Sequence, residues 1–203
     1  MMSPSLLIVI SGPSGVGKNT VINNLFKRKP DLRYSVSATT RTPRPNEIDG
    51  QHYFFLTETE FRNKIDTGDF LEWAKVYEHY YGTPKHYVQQ LLASGHDVTL
   101  DVDVQGAIQV KHSLPEAVLI FLAPPSLTEL KKRLAGRNTE MEEELNKRLQ
   151  YIETEFQCIP QYDYLVINQE IDLTCERIEC IILAEKCKVN RQEHNLLNNI
   201  LKG

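Results

Sequence analysis

Residues 12–18 read Gly-Pro-Ser-Gly-Val-Gly-Lys. Glycines let a chain turn its N–H groups inward around an anion, and a helix opening behind them adds partial positive charge. A lysine at the end can reach outer phosphates as a compact point charge. The pattern fits G-x-x-x-x-G-K-[ST] except at its last position, where Asn19 replaces the hydroxyl residue and Thr20 follows. Gly12, Pro13, Ser14, Gly15, Val16, Gly17, Lys18, Asn19 and Thr20 are therefore the candidate contacts to a nucleotide's phosphates. An amide oxygen is a poorer partner for magnesium than a hydroxyl. Asn19, Thr20 and Asp101 all stay open as metal contacts, directly or through water.

A second set of charges suggests a second phosphate site. Arg41 and Arg44 lie three apart on a stretch that Pro43 keeps out of helix. From Lys27 to Arg44 there are six cations and one acid, +6 − 1 = +5, in a chain of net charge −4. Arginine forks suit phosphate oxygens because they bind them in pairs. Asp103-Val104-Gln105-Gly106 matches the D-x-x-G of switch GTPases, but Asn146-Lys147-Arg148-Leu149 lacks the aspartate of N-K-x-D, so that class is set aside. The six histidines and four cysteines form no H-E-x-x-H or C-x-x-C pattern, which argues against a structural zinc. Cys158, Cys175, Cys180 and Cys187 read as reduced thiols of a cytoplasmic protein.

The loop must be held by a strand before it and a helix after it. Leu6–Ile10 is a short unbroken apolar run, the mark of a strand buried on both faces. Val21, Ile22, Leu25 and Phe26 then repeat at helical spacing until Pro30. Further buried strands are expected at Val98–Val104, Val118–Leu122 and Tyr164–Ile167. Helices are expected over Tyr87–Ala93, Ala107–Lys111, Leu127–Leu134 and Ile171–Leu183, with one more along the face Met141, Leu145, Leu149, Ile152 and Phe156. Strands alternating with helices predict a three-layer α/β/α architecture on a parallel sheet. Between Tyr34 and Tyr81 short aromatic pieces and turn residues break that rhythm, predicting a mixed α/β insertion. On the expected strand end Asp101 and Asp103 differ by two and would share a face. The 203 residues suit one domain, and the negative balance gives no reason to expect nucleic acid or an anionic membrane as partner. Leu6–Ile10 is too short to span a bilayer, and Met1–Ser5 has no basic segment of the kind a secretory signal carries.

Several motifs together resemble the guanylate kinase family. They are the glycine-rich loop, Ser37-Ala38-Thr39-Thr40-Arg41-Thr42-Pro43-Arg44, Gly50-Gln51-His52-Tyr53-Phe54-Phe55, Phe70-Leu71-Glu72-Trp73-Ala74, Tyr80-Tyr81-Gly82-Thr83 and Leu100–Gly106, with Pro124-Pro125-Ser126, Leu134–Arg137 and Asn146–Leu149 after them. All fall in family order, from about Leu6 to Lys186. The resemblance implies a P-loop nucleoside monophosphate kinase fold that phosphorylates GMP, and dGMP, to the diphosphate with ATP and Mg2+. It implies a core at 1–33, 88–125 and 157–203, a GMP-binding insertion at 34–87 and a helical lid at 126–156. By the same resemblance Arg41, Arg44, Tyr53 and Tyr81 hold the GMP phosphate, and Ser37, Glu72, Thr83 and Asp103 read guanine. Lys18 binds ATP phosphates, Arg133, Arg137 and Arg148 approach the transferring phosphoryl, and Asn168 lies toward adenine. The chemistry agrees, since guanine offers N1–H and its 2-amino group to one carboxylate and adenine does not. Two rivals stay open: a non-catalytic peptide-binding relative, which Asn19 favours and Lys18 disfavours, and a kinase for another nucleoside monophosphate. Oligomeric state is not readable.

Overall fold

The apolar run at the start of the chain becomes the middle strand of a parallel sheet, which is why it needs no polar face. The structure, a computed structural model, describes residues 4–135 and 151–191. Strand β1 (Leu7–Ser11) lies between β7 (Val98–Asp101) and β8 (Val118–Ala123), with β2 (Arg33–Tyr34) and β9 (Tyr164–Ile167) at the edges. The order is β2-β7-β1-β8-β9, and every pairing is parallel. Successive residues of β1 serve opposite faces. Leu6, Ile8 and Ile10 pack against Val21, Ile22 and Leu25 of α1 (Lys18–Arg28) and Cys175, Ile178 and Ile182 of α7 (Ile171–Lys186). Leu7 and Val9 pack against Val88 of α3 (Lys85–Ala93) and Ala107 and Val110 of α4 (Val104–Ser113). The result is the three-layer α/β/α arrangement on a parallel sheet. Cutting Ile8, fully buried between the layers, to Ala would leave a cavity costing about 2–5 kcal/mol.

The chain between β2 and α3 builds a second sheet from β3 (Ala38–Thr39), β4 (Phe54–Phe55), β5 (Phe70–Val76) and β6 (His79–Pro84), in the order β4-β3-β6-β5. Only β3 and β4 run parallel. Helix α2 (Glu58–Asp66) starts at a reciprocal cap between Thr57 and Glu60. It buries Phe61 against Phe70 and Tyr80, at ring separations of 4.4 and 5.4 Å. The outer edge of β5 would otherwise leave backbone groups unpaired. Gln109 of α4 closes it, accepting from the Trp73 N–H at 3.1 Å and donating to the Trp73 carbonyl at 3.2 Å. Ser113 donates to the Leu71 carbonyl at 2.9 Å. One helix of the core thus fixes the strand that carries Glu72.

The remaining described α-helices are α5 (Leu127–Ala135) and α6 (residues 151–157), where Ile152 is buried. Met141, Leu145 and Leu149 of the expected single face lie outside the described residues. Two local readings change. The expected strand Val98–Val104 stops at Asp101, because Asp103 turns to cap α4 and accepts the Gly106 N–H at 2.7 Å. Asp101 and Asp103 therefore do not share a strand face. Strand β2, only two residues long, carries no apolar run by which it could be recognised. The four cysteines are free thiols, and among the described residues no helix is long and apolar enough to cross a membrane.

Candidate active site

The glycine-rich loop leaves β1 at Ser11 and enters α1 at Lys18. Gly12, Gly15 and Gly17 have φ of 147°, 82° and 98°, which side chains rarely tolerate. At Gly12 the need is also steric, because an added Cβ would stand 2.2 Å from the Leu122 carbonyl oxygen of the neighbouring strand. Gly17 is the N-cap of α1 and supplies no capping side chain, so the first amides of the helix stay available for an anion. The Lys18 ammonium folds back onto the Gly12 carbonyl at 2.9 Å. Pro13, Ser14, Gly15, Gly17, Lys18, Asn19 and Thr20 line one cavity.

The loop is also gripped from outside. Asn168, 5% exposed at the end of β9, donates from its side-chain amide to the Val16 carbonyl at 2.7 Å and accepts from the Thr174 hydroxyl at 3.0 Å. The Arg133 guanidinium reaches the same Val16 carbonyl at 3.3 Å, steadied by Glu129 on its own helix at 3.2 Å. Asn168 and Arg133 line a second opening with Gly15, Gly17, Thr20, Gln169 and Ile171. The Asn168 amide is thus committed to the loop, and the residue stands beside that opening. Arg137 and Arg148 lie outside the described residues.

A cleft of about 530 Å3 opens beside the loop, lined by Gly12, Ser14, Lys18, Asp103, Tyr151, Ile152 and Glu155. Of its two carboxylates Asp103 is exposed and Glu155 is buried. Burial pushes Glu155 up to about 7, with Lys18 opposing and Asp103 adding to the rise. Burial likewise raises Asp101, and Lys18 pulls it partly back. Beyond Asp103 comes Glu72, only 8% exposed. Its register partner across β5 and β6 is Thr83, whose hydroxyl donates to Glu72 Oε1 at 2.6 Å. Glu72 Oε2 lies against Gly106, where a Cβ would come within 3.1 Å of it and 3.4 Å of Asp103 Oδ1. Burial, then the nearby Asp103 charge, lifts the Glu72 carboxyl to about 7 despite the Thr83 bonds.

The Arg41 cluster forms on the same sheet, where Tyr81 stands two residues from Thr83 along β6. Arg41 lies over the rings of Tyr53 and Phe55, at 5.5 and 5.9 Å from their centres. Tyr53 and Tyr81 meet edge to face at 6.1 Å. Arg44 is exposed, and Ser37 is half-buried at the entry to β3. The structure therefore gathers Glu72, Thr83 and Asp103 at one spot and Arg41, Tyr53 and Tyr81 at another. Two polar residues escape a reading of the sequence. Glu47, which pairs with Arg41 at 2.8 Å, has no local signal. Glu155 stands three positions after buried Ile152, a spacing that could have put it on the inward face.

An anion-binding loop on a parallel α/β core, facing an arginine cluster and a buried carboxylate on an inserted sheet, defines a P-loop kinase for small nucleotides. The guanylate kinase family profile matches residues 5–185. The guanylate kinase of Caldanaerobacter subterraneus subsp. tengcongensis is 52% identical over 93% of this chain and 91% of its own. That of Desulfitobacterium hafniense is 48% identical over 93% and 94%. The crystal structure of guanylate kinase from Anaplasma phagocytophilum superposes with a TM-score of 0.74 at 32% identity, covering 98% of this chain and 94% of that one. The chain belongs to the guanylate kinase family, the ATP:GMP phosphotransferases.

Proposed function

We propose that the protein transfers the terminal phosphoryl group of ATP to the phosphate of GMP, giving ADP and GDP, by positioning and charge neutralisation alone. The observation that carries this reading is the buried Glu72 carboxylate, bonded to Thr83 and close to Asp103, which lines the cleft with Lys18. Guanine presents N1–H and its 2-amino group side by side, and one ionised carboxylate accepts both. Adenine offers an acceptor at N1, which would leave Glu72 desolvated without a partner, the situation that gives strong discrimination. Thr83 orients the carboxylate, while Asp103 and Ser37 complete the base site. Arg41, Arg44, Tyr53 and Tyr81 hold the acceptor phosphate, and dGMP, with the same base and phosphate, is accepted too.

The glycine-rich loop from Gly12 to Thr20 takes the ATP phosphates, with Lys18 on the outer ones. Arg133, and with it Arg137 and Arg148, neutralises charge on the transferring group. Phosphoryl transfer through a loose transition state needs alignment and cations more than a nucleophile on the enzyme. The donors around the loop fit Mg2+, because Asn19, Thr20 and the part-buried Asp101 offer hard oxygens, with Lys18 near Asp101. Bound there, Mg2+ would neutralise charge on the phosphate oxygens. Water is the competing acceptor, so the residues 34–87 and 126–156 close over the core as an insertion and a lid when both substrates are present. The enzyme works in the cytoplasm.

A coupled ADP-release assay tests the reading directly. ADP should form with ATP plus GMP, slowly or not at all without GMP, and far more slowly with AMP, CMP or UMP. Equal rates with AMP would remove Glu72 as the reader of the base. No GMP-dependent ADP would make the chain a binding module.

A further inference from the structure

Between β3 and β4 a turn brings a carboxylate into a site meant for an anion. Glu47 uses both oxygens there. Oε1 accepts from Arg41 Nη2 at 2.8 Å, and Oε2 accepts from the Arg44 backbone N–H at 2.7 Å. The Arg41 and Glu47 side chains are 13% and 17% exposed, so the pair is shielded from the bulk water that makes rim ion pairs weak. Arg41 Nη1 donates to the Thr42 carbonyl at 2.8 Å, and the guanidinium face covers the Tyr53 and Phe55 rings. Two edges and a face are thereby fixed, while a guanidinium carries five N–H donors, so others remain for a ligand. The Arg41 hydrogen bond, then the Arg44 N–H, holds the Glu47 carboxyl below its ordinary range, so it stays ionised at any working pH.

A negative charge beside a phosphate site repels the ligand. Its presence makes sense when orienting the cation gains more than the repulsion loses, since a free arginine must be immobilised each time it binds. We propose that Glu47 is a positioning residue for the acceptor phosphate: anchored by the Arg44 N–H, it acts through Arg41 and does not itself touch the nucleotide. This rests on the reading of Arg41 as a ligand of the GMP phosphate.

The test is a double-mutant cycle in steady-state kinetics, with thermal melting as a check on folding. Glu47→Ala should raise the KM for GMP about tenfold while the KM for ATP stays within about twofold. Glu47→Gln should give a smaller rise, because an amide oxygen can serve only one of the two donors. It also carries the test if the Ala variant does not fold. Arg41→Ala should raise the KM for GMP at least as much, and adding Glu47→Ala to it should change little more, within about twofold. Effects that multiply in the double variant would show that Glu47 acts independently of Arg41 and overturn the proposal. So would a Glu47→Ala enzyme whose KM for GMP is unchanged or lower, the latter meaning that the carboxylate competes with the phosphate. If Arg41→Ala itself leaves the KM for GMP unchanged, the reading of the phosphate site falls first, independently of Glu47.

Discussion

The two ends of the cleft are built on opposite principles. At the glycine-rich loop the binding groups are backbone amides, and the protein satisfies the loop from outside through Asn168 and Arg133 on one carbonyl. Nothing there needs to ionise when a phosphate arrives, and the exchange is that of the Lys18 ammonium, which leaves the Gly12 carbonyl. At the second sheet the binding groups are side chains held in unfavourable or provisional states. Glu72 is kept near neutrality by burial, and Arg41 is held by Glu47. On the proposed function, the first end is a mould for a nucleoside triphosphate tail, and the second stores its selectivity in charges that the right nucleotide stabilises.

The largest effect should come from the mould. Replacing Lys18 by Ala removes the one side-chain cation within the loop, and kcat should fall by roughly 10²- to 10³-fold with an unchanged melting temperature. Near-normal turnover would break the comparison at its first end. Glu72→Gln should raise the KM for GMP by about 10- to 100-fold and leave that for ATP within about twofold. A parallel rise in both would make Glu72 structural.

The same variant has an opposite effect on folding. The Glu72 carboxyl titrates at about 7 in the folded chain against an ordinary 4.5. Between those values the folded state keeps a proton that the unfolded chain has lost, so stability declines as pH rises through that window and stays lower above it. Glu72→Gln should therefore be more stable than the parent at pH 8, by on the order of 2 kcal/mol, and similar to it at pH 4. Melting curves at the two pH values check this, and a variant less stable at pH 8 would contradict it.

A smaller effect sharpens the contrast from the loop side. Asn168→Ala removes the amide that grips Val16, while the Thr174 hydroxyl keeps its bond to the Glu170 carbonyl at 2.7 Å. The melting temperature should drop by about 5–10 °C and the KM for ATP should rise several-fold, with the KM for GMP little changed. An unchanged KM for ATP would mean that the clamp does not shape the loop.

The same contrast decides what could be read from the sequence. Leu6–Ile10, the loop and the first helix are local, so pattern and spacing find all three. The end of the strand at Asp101 is missed because Val102 and Val104 continue the apolar run, while the cap made by Asp103 depends on where the helix begins. Asn168 reads as a lone polar residue after a strand, and only the packing of β9 beside the loop shows that its amide is a clamp. Glu47 and Gln109 have no meaning until Arg41 and Trp73 are brought to them. Glu72 is visible as an acid in a motif, but its burial, and hence its ionisation, belongs to the assembled sheet.

Isothermal titration of GMP into the protein at pH 6.5, in two buffers of different ionisation enthalpy, addresses the central claim most directly. If Glu72 must ionise to accept the two guanine donors, binding will release more protons than the GMP phosphate alone supplies, the apparent enthalpy will depend on the buffer, and Glu72→Gln will cut that dependence to the phosphate's share. GMP binding with the same enthalpy in both buffers, or equal binding of AMP, would contradict it.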